Sequence, residues 1–123
     1  MPPTEVIFYR DEHGRIPILE WLDGLPGRAR MKCLARLERL ERLGHELRRP
    51  EGDYLRDGVY ELRASYQGVH YRMLYFFHRT EAVVVSHGLK KEREVPAVEI
   101  DRAAGRKRQF ERAPEKHSFN AGK

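Results

Sequence analysis

The stretch "YELRASYQGVHYRMLYFF", Tyr60 to Phe77, decides how this chain folds. Tyr60, Leu62, Ala64 and Tyr66 alternate with Glu61, Arg63 and Ser65, the period of a strand with one face buried. Gln67-Gly68 interrupts the run, and "VHYRMLYFF" starts a second strand behind it. A third, "AVVVSHG", follows His78-Arg79-Thr80-Glu81. Strands joined by such short turns predict an antiparallel meander.

Upstream, Val6–Tyr9 is a short strand candidate closed by the turn-prone Asp11–Gly14. "PILEWLDGLP" reads as a helix opened by Pro17 and ended near Gly24, with Trp21 as its anchor. Gly27 to Gly44 carries the clearest helical period, with Leu34, Leu37, Leu40 and Leu43 as its stripe. Its arginines, among them Arg36 and Arg39, suit a solvated face as well as an RNA contact. Downstream, Pro96 opens a helix with Ala97, Ile100 and Ala103 or Ala104 on one side. The polar, aperiodic residues 113–123 predict a disordered tail. The expected order is β-α-α-β-β-β-α in one domain spanning residues 1–112. That is an α+β fold with helices packed on a small, mainly antiparallel sheet.

The 123 residues, 35% of them charged, carry a net charge of +5, which favours a polyanionic partner, nucleic acid or acidic protein. The lone Cys33 excludes an intrachain disulfide framework and falls on the helix's apolar side. No apolar run approaches bilayer length, and the first residues lack a basic region followed by an apolar one. A cytoplasmic protein is expected.

If Gln67-Gly68 is a two-residue loop, Arg63 lies opposite Arg72. The same rule applied to Arg79-Thr80 places His87 opposite Arg72, so Arg63, Arg72 and His87 would form a row across three strands. A three-residue loop in either turn breaks that alignment. Opposed arginines repel unless an anion separates them. Glu61, on the same face as Arg63, is one such partner; a phosphate, which accepts paired hydrogen bonds from guanidinium groups, is the other. Lys90 and Lys91 end the third strand beside the row.

The histidines do not fall at metal-ligand spacing, so no metal site or cofactor is expected. No Gly-rich phosphate loop and no nucleophile elbow occur. Metal-free phosphodiester cleavage fits the cluster: a 2′-hydroxyl must lose a proton, a phosphorane must be held by cations, and the leaving oxygen must gain a proton. His87 is the candidate base on this register, and Lys90 or Lys91 is the rival.

Together, the ordered features from Asp57 to Ala104 resemble the HigB-like branch of the RelE superfamily of toxins from toxin–antitoxin pairs. They are "YELR", "YR" after a tight turn, "LYFF", the valine strand, and "LKK" followed by "P..EI..A". The resemblance implies a RelE-like fold and an endoribonuclease that cuts ribosome-bound mRNA without metal. It also implies a cognate helix-turn-helix antitoxin, with operator DNA reached only through the antitoxin complex. Arg63 and Arg72 match the family's arginines, for phosphate binding and transition-state stabilisation. Lys90 and Lys91 match its basic pair, for phosphate binding, proton transfer or charge stabilisation. The chain departs from RelE at Val59 and Glu61, where RelE carries lysines. A catalytically silent module that binds RNA or antitoxin is the competing reading.

Overall fold

The computed structural model describes residues 4–91 and 93–120. A six-stranded sheet runs in the order β2-β3-β4-β5-β1-β6. Its strands are β1 (Glu5–Tyr9), β2 (Gly52–Arg56), β3 (Val59–Tyr66), β4 (Val69–His78), β5 (Ala82–Lys90) and β6 (Ser118–Asn120). The helices are α1 (Pro17–Asp23), α2 (Gly27–Leu43) and α3 (Ala97–Arg112), and a 3-10 turn, Gly44–Glu46, follows α2. Among the described residues, only β1 and β5 pair in parallel; the other pairs are antiparallel. The α+β class stands, with two strands added to the expected order.

Helices cover both faces. On one, Ile18 and Leu22 of α1 and Ala29, Cys33, Leu37 and Leu40 of α2 meet Leu62, Met73, Tyr75, Val83 and Val85. On the other, Ile100, Ala103 and Ala104 of α3 meet Val59 and Leu74, and Phe110 meets Phe76 and Val84. The β5 valines are therefore enclosed from both sides, which is why they run consecutively instead of alternating with polar residues. The buried stripe of α2 differs from the expected leucine row. Leu34 is 42% exposed, and the smaller Ala29 and Cys33 take the contact positions against the sheet.

The β3–β4 turn is the expected two-residue loop. Gln67 and Gly68 both have positive φ, 50° and 80°, the geometry whose twist matches flanking strands. Asp57-Gly58 repeats it, at 54° and 79°, and joins β3 to β2. That strand lies in a segment whose proline and charges read as a connection; its signal was the Asp-Gly turn.

The β4–β5 register differs from the expected one for two compounding reasons. The loop holds three residues, Arg79 to Glu81, so Tyr75 pairs with Val85. A bulge at Ser86 then adds a second one-residue offset, so Leu74 pairs with His87 and Arg72 with Leu89. The two offsets sum to an even number, so His87 keeps the sheet face of the arginines. It sits two positions from where the expected row required it. The three-residue row does not form.

The tail is also corrected. Ser118–Asn120 pairs with β1, Phe119 stacks on Phe8 at 6.5 Å, and His117 donates its Nδ1–H to the Arg10 carbonyl at 2.8 Å. Two aromatic side chains spaced by one residue hold this end in place, too short a pattern to register as periodicity. Residues 121–123 lie outside the described residues.

At Gly88, opposite Met73, the Trp21 ring of α1 lies directly against the strand backbone. A Cβ there would stand 2.3 Å from the Trp21 ring, which itself packs edge-on against Tyr71. Gly88→Ala is expected to cost about 1–3 kcal/mol by forcing the indole outward. A lowered urea midpoint and red-shifted tryptophan fluorescence would report it; an unchanged midpoint would contradict this packing.

Candidate functional site: an arginine cleft on the sheet

Arg63 and Arg72 face each other across β3 and β4, as the two-residue turn requires. Between them lies Glu61, whose side chain is 4% exposed. Arg72 Nη1 donates to Glu61 Oε1 at 2.6 Å, and Arg63 Nη2 to Glu61 Oε2 at 3.2 Å. One carboxylate thus separates the two guanidinium groups. Asp53 of β2 stands opposite Glu61 and accepts from Arg63 at 3.4 Å and from Arg49 at 2.9 Å. Opposed acids and opposed arginines alternate along this face, each pair tolerable only because of the other. Hydrogen bonding by Arg49 holds the Asp53 carboxyl below the usual carboxylate range.

These groups line a cleft of about 590 Å³, where five arginines (49, 56, 63, 72 and 93) meet three acids, Asp53, Glu61 and Glu94. The Arg63 Nε is buried without a protein hydrogen-bond acceptor, so that guanidinium still has a donor to satisfy. From behind, Arg36 of α2 donates to the Arg63 carbonyl at 2.9 Å and to Glu51 at 2.6 Å. Arg39 binds both oxygens of Glu51, each at 2.9 Å. These two arginines therefore brace the β-sheet edge.

Lys90 and Lys91 do not enter the cleft. Lys90 pairs with Tyr71, whose side chain belongs to the opposite, α1–α2 face. Lys91 follows the strand end and donates its backbone N–H to the His70 carbonyl. Both are exposed and line an adjoining hollow of about 420 Å³ with His70 and Arg93. Arg93 lines this hollow and the arginine cleft alike, so the two are neighbours. His70 also lines a third hollow with Arg63 and Arg72. Sequence reasoning passed over His70, Arg49 and Arg56, because the β2 segment reads as a connection and His70 matches no motif.

His87 is 7% exposed, beneath α3. Arg106 Nη1 donates to Ser86 Oγ at 3.3 Å, and Ser86 Oγ lies 2.7 Å from His87 Nδ1. His87 Nε2 lies 2.9 Å from Glu99 Oε1. A neutral imidazole with its proton on Nε2 satisfies every one of these bonds: serine gives to Nδ1, and Nε2 gives to glutamate. Burial, reinforced by the Arg106 charge, pushes His87 down to about 4 against the opposing pull of Glu99. Burial likewise pushes the Cys33 thiol up to about 11, fitting a core residue. Among the described residues, no cluster of His, Cys, Asp or Glu has the makings of a metal site, and no helix is long and apolar enough to cross a membrane.

Two outcomes follow from this arrangement. Glu61→Ala leaves two partly buried guanidinium groups opposed with nothing between them and is expected to cost about 3 kcal/mol in chemical denaturation. A loss within about 0.5 kcal/mol, ordinary for a surface change, would contradict the central role of that carboxylate. For His87, the folded value lies below the unfolded one, so the unfolded chain binds the extra proton. Stability is complete above pH ~6.5 and falls as pH drops toward ~4, by about 3 kcal/mol in total. The His87→Gln variant should lack that part of the slope; parallel curves for variant and parent would refute the assignment.

No curated protein matches this chain. The family model described as Phage derived protein Gp49-like (DUF891) matches residues 20–108, which include α2, the β2–β5 meander, the opposed Arg63 and Arg72, and most of α3. The chain belongs to this Gp49-like family, a RelE-like family of toxins associated with toxin–antitoxin systems.

Proposed function

We propose that the protein is a toxin that cleaves mRNA at the arginine cleft by metal-independent attack of a 2′-hydroxyl on the adjacent phosphate, on ribosome-bound message. A cognate antitoxin, expected to be a helix-turn-helix protein, neutralises it. The observation that carries this reading is the opposed Arg63–Arg72 pair in a cleft where arginines outnumber acids. Guanidinium forks match phosphate oxygens in pairs and keep their charge as the phosphorane forms.

In this reading the scissile phosphate draws Arg63 and Arg72 away from part of their bonding to Glu61 and Asp53. Those carboxylates keep the forks extended toward the cleft before RNA arrives. Lys90, Lys91 and Arg93 hold the flanking backbone in the adjoining hollow. His70 is an exposed imidazole that lines both this hollow and the third one, and imidazole is the commonest side chain for general acid–base work. We assign proton transfer to His70. His87, buried and engaged at both ring nitrogens, becomes a positioning residue between β5 and α3.

One observation favours a second reading, a silent binding module: both arginines already hold ion pairs with Glu61. The experiment that decides is induction in a bacterium with mapping of mRNA 5′ ends. The parent should arrest growth and produce codon-phased cuts. Arg72→Lys keeps the charge beside Glu61 but loses the fork, and His70→Ala loses the imidazole. Each should lower the cleavage rate by about 100-fold or more while the protein stays folded. Harmless expression of the parent with unchanged transcripts would favour the silent module.

A further inference from the structure

Away from the arginine cleft, the C-terminal half of α3 borders a hollow of about 340 Å³. It lies between that half of the helix, the residues after β1, and the segment leading into β6. Tyr9 and His117 form one wall, their rings 5.2 Å apart and nearly parallel; they are 2% and 6% exposed. The Tyr9 hydroxyl donates to Gln109 Oε1, so the Gln109 amide has its NH₂ left to give. His117 spends Nδ1–H on the Arg10 carbonyl, which makes Nε2 the ring's acceptor.

Arg106 is the unusual group here. Its guanidinium lies 5.3 Å above the Tyr9 ring and gives one hydrogen bond to Ser86. Burial pushes it below the ordinary arginine value, and Asp11 and Glu99 act on it only through space. Among the described residues it forms no ion pair with a carboxylate. Of the two acids at the hollow, Asp11 uses Oδ1 to cap the His13 and Arg15 amides, and Glu12 sits 3.7 Å from His13. A half-buried cation with no carboxylate in contact is costly, and a π face with one hydroxyl offsets only part of that cost.

We propose that this hollow is a second anion site, which takes a phosphate monoester or free phosphate. Arg106 and the Gln109 amide hold its oxygens, with Arg112 and Lys116 at the rim. His117 Nε2 accepts the proton that a monoester can carry and a diester lacks. The site is separate from the arginine cleft, and its assignment does not depend on ribonuclease activity.

The test is an NMR titration of the ¹⁵N-labelled full chain with inorganic phosphate, then with a 5′-mononucleotide. Saturable shifts are expected at Arg106, Gln109 and His117, with Arg106→Gln weakening binding about tenfold or more. Because Arg106 also holds Ser86, an Arg112→Ala, Lys116→Ala double variant tests the rim independently and should weaken binding too. Arg63→Ala should leave this binding unchanged. Shifts that never saturate, or that vanish with Arg63→Ala while surviving the rim variant, would overturn the site. If a hydroxyl-ended oligoribonucleotide binds as tightly as the mononucleotide, the monoester assignment is wrong.

Discussion

A single buried carboxylate, Glu61, makes the central strands of this protein compatible with each other. The β3–β4 turn puts Arg63 opposite Arg72 whatever their charges, because register follows from backbone geometry. Glu61 gives each arginine one oxygen, and Asp53 takes the remaining load from Arg63. The arrangement keeps two guanidinium groups poised side by side without an external anion. It also sets what any anion must compete with. Glu61 is thus a carboxylate that organises the cationic groups around it.

The α+β class, the three helices, the meander and the Arg63–Arg72 pairing were all legible from residue order. Each rests on local chemistry: helical spacing, alternation, or a Gln-Gly turn with positive φ. What was not legible depends on tertiary context. The edge strand β2 lies in a charged segment whose partners, Glu61 and Arg63, come later in the chain. The order of residues 113–120 depends on Phe119 and His117 finding Phe8 and Tyr9, more than a hundred positions earlier. The position of His87 turned on a third loop residue and a bulge, neither of which leaves a compositional mark.

Helix α3 joins the parts that chemistry would use. Its first half closes one side of the arginine cleft through Ile100, and Glu99 engages His87. Its second half carries Arg106 and Gln109 to the other hollow. The polar chain Arg106–Ser86–His87–Glu99 ties these halves to β5 with each donor matched to an acceptor. Such directional polar contacts favour one packing of a helix over a slipped alternative. The position of the helix on the sheet is thus specified by polar as well as apolar contacts.

The bulge at Ser86 bears on how relatives of this chain should be aligned. If Ser86 were removed, Val85 would still face Tyr75 and His87 would still face Leu74, so every other β5 side chain would keep its face. The strand therefore absorbs a change of one residue in length internally. A relative with a regular β5 should be aligned with its gap at position 86. Moving that gap into the Arg79–Glu81 loop would shift the valines by one and mismatch the inward and outward positions of half the strand.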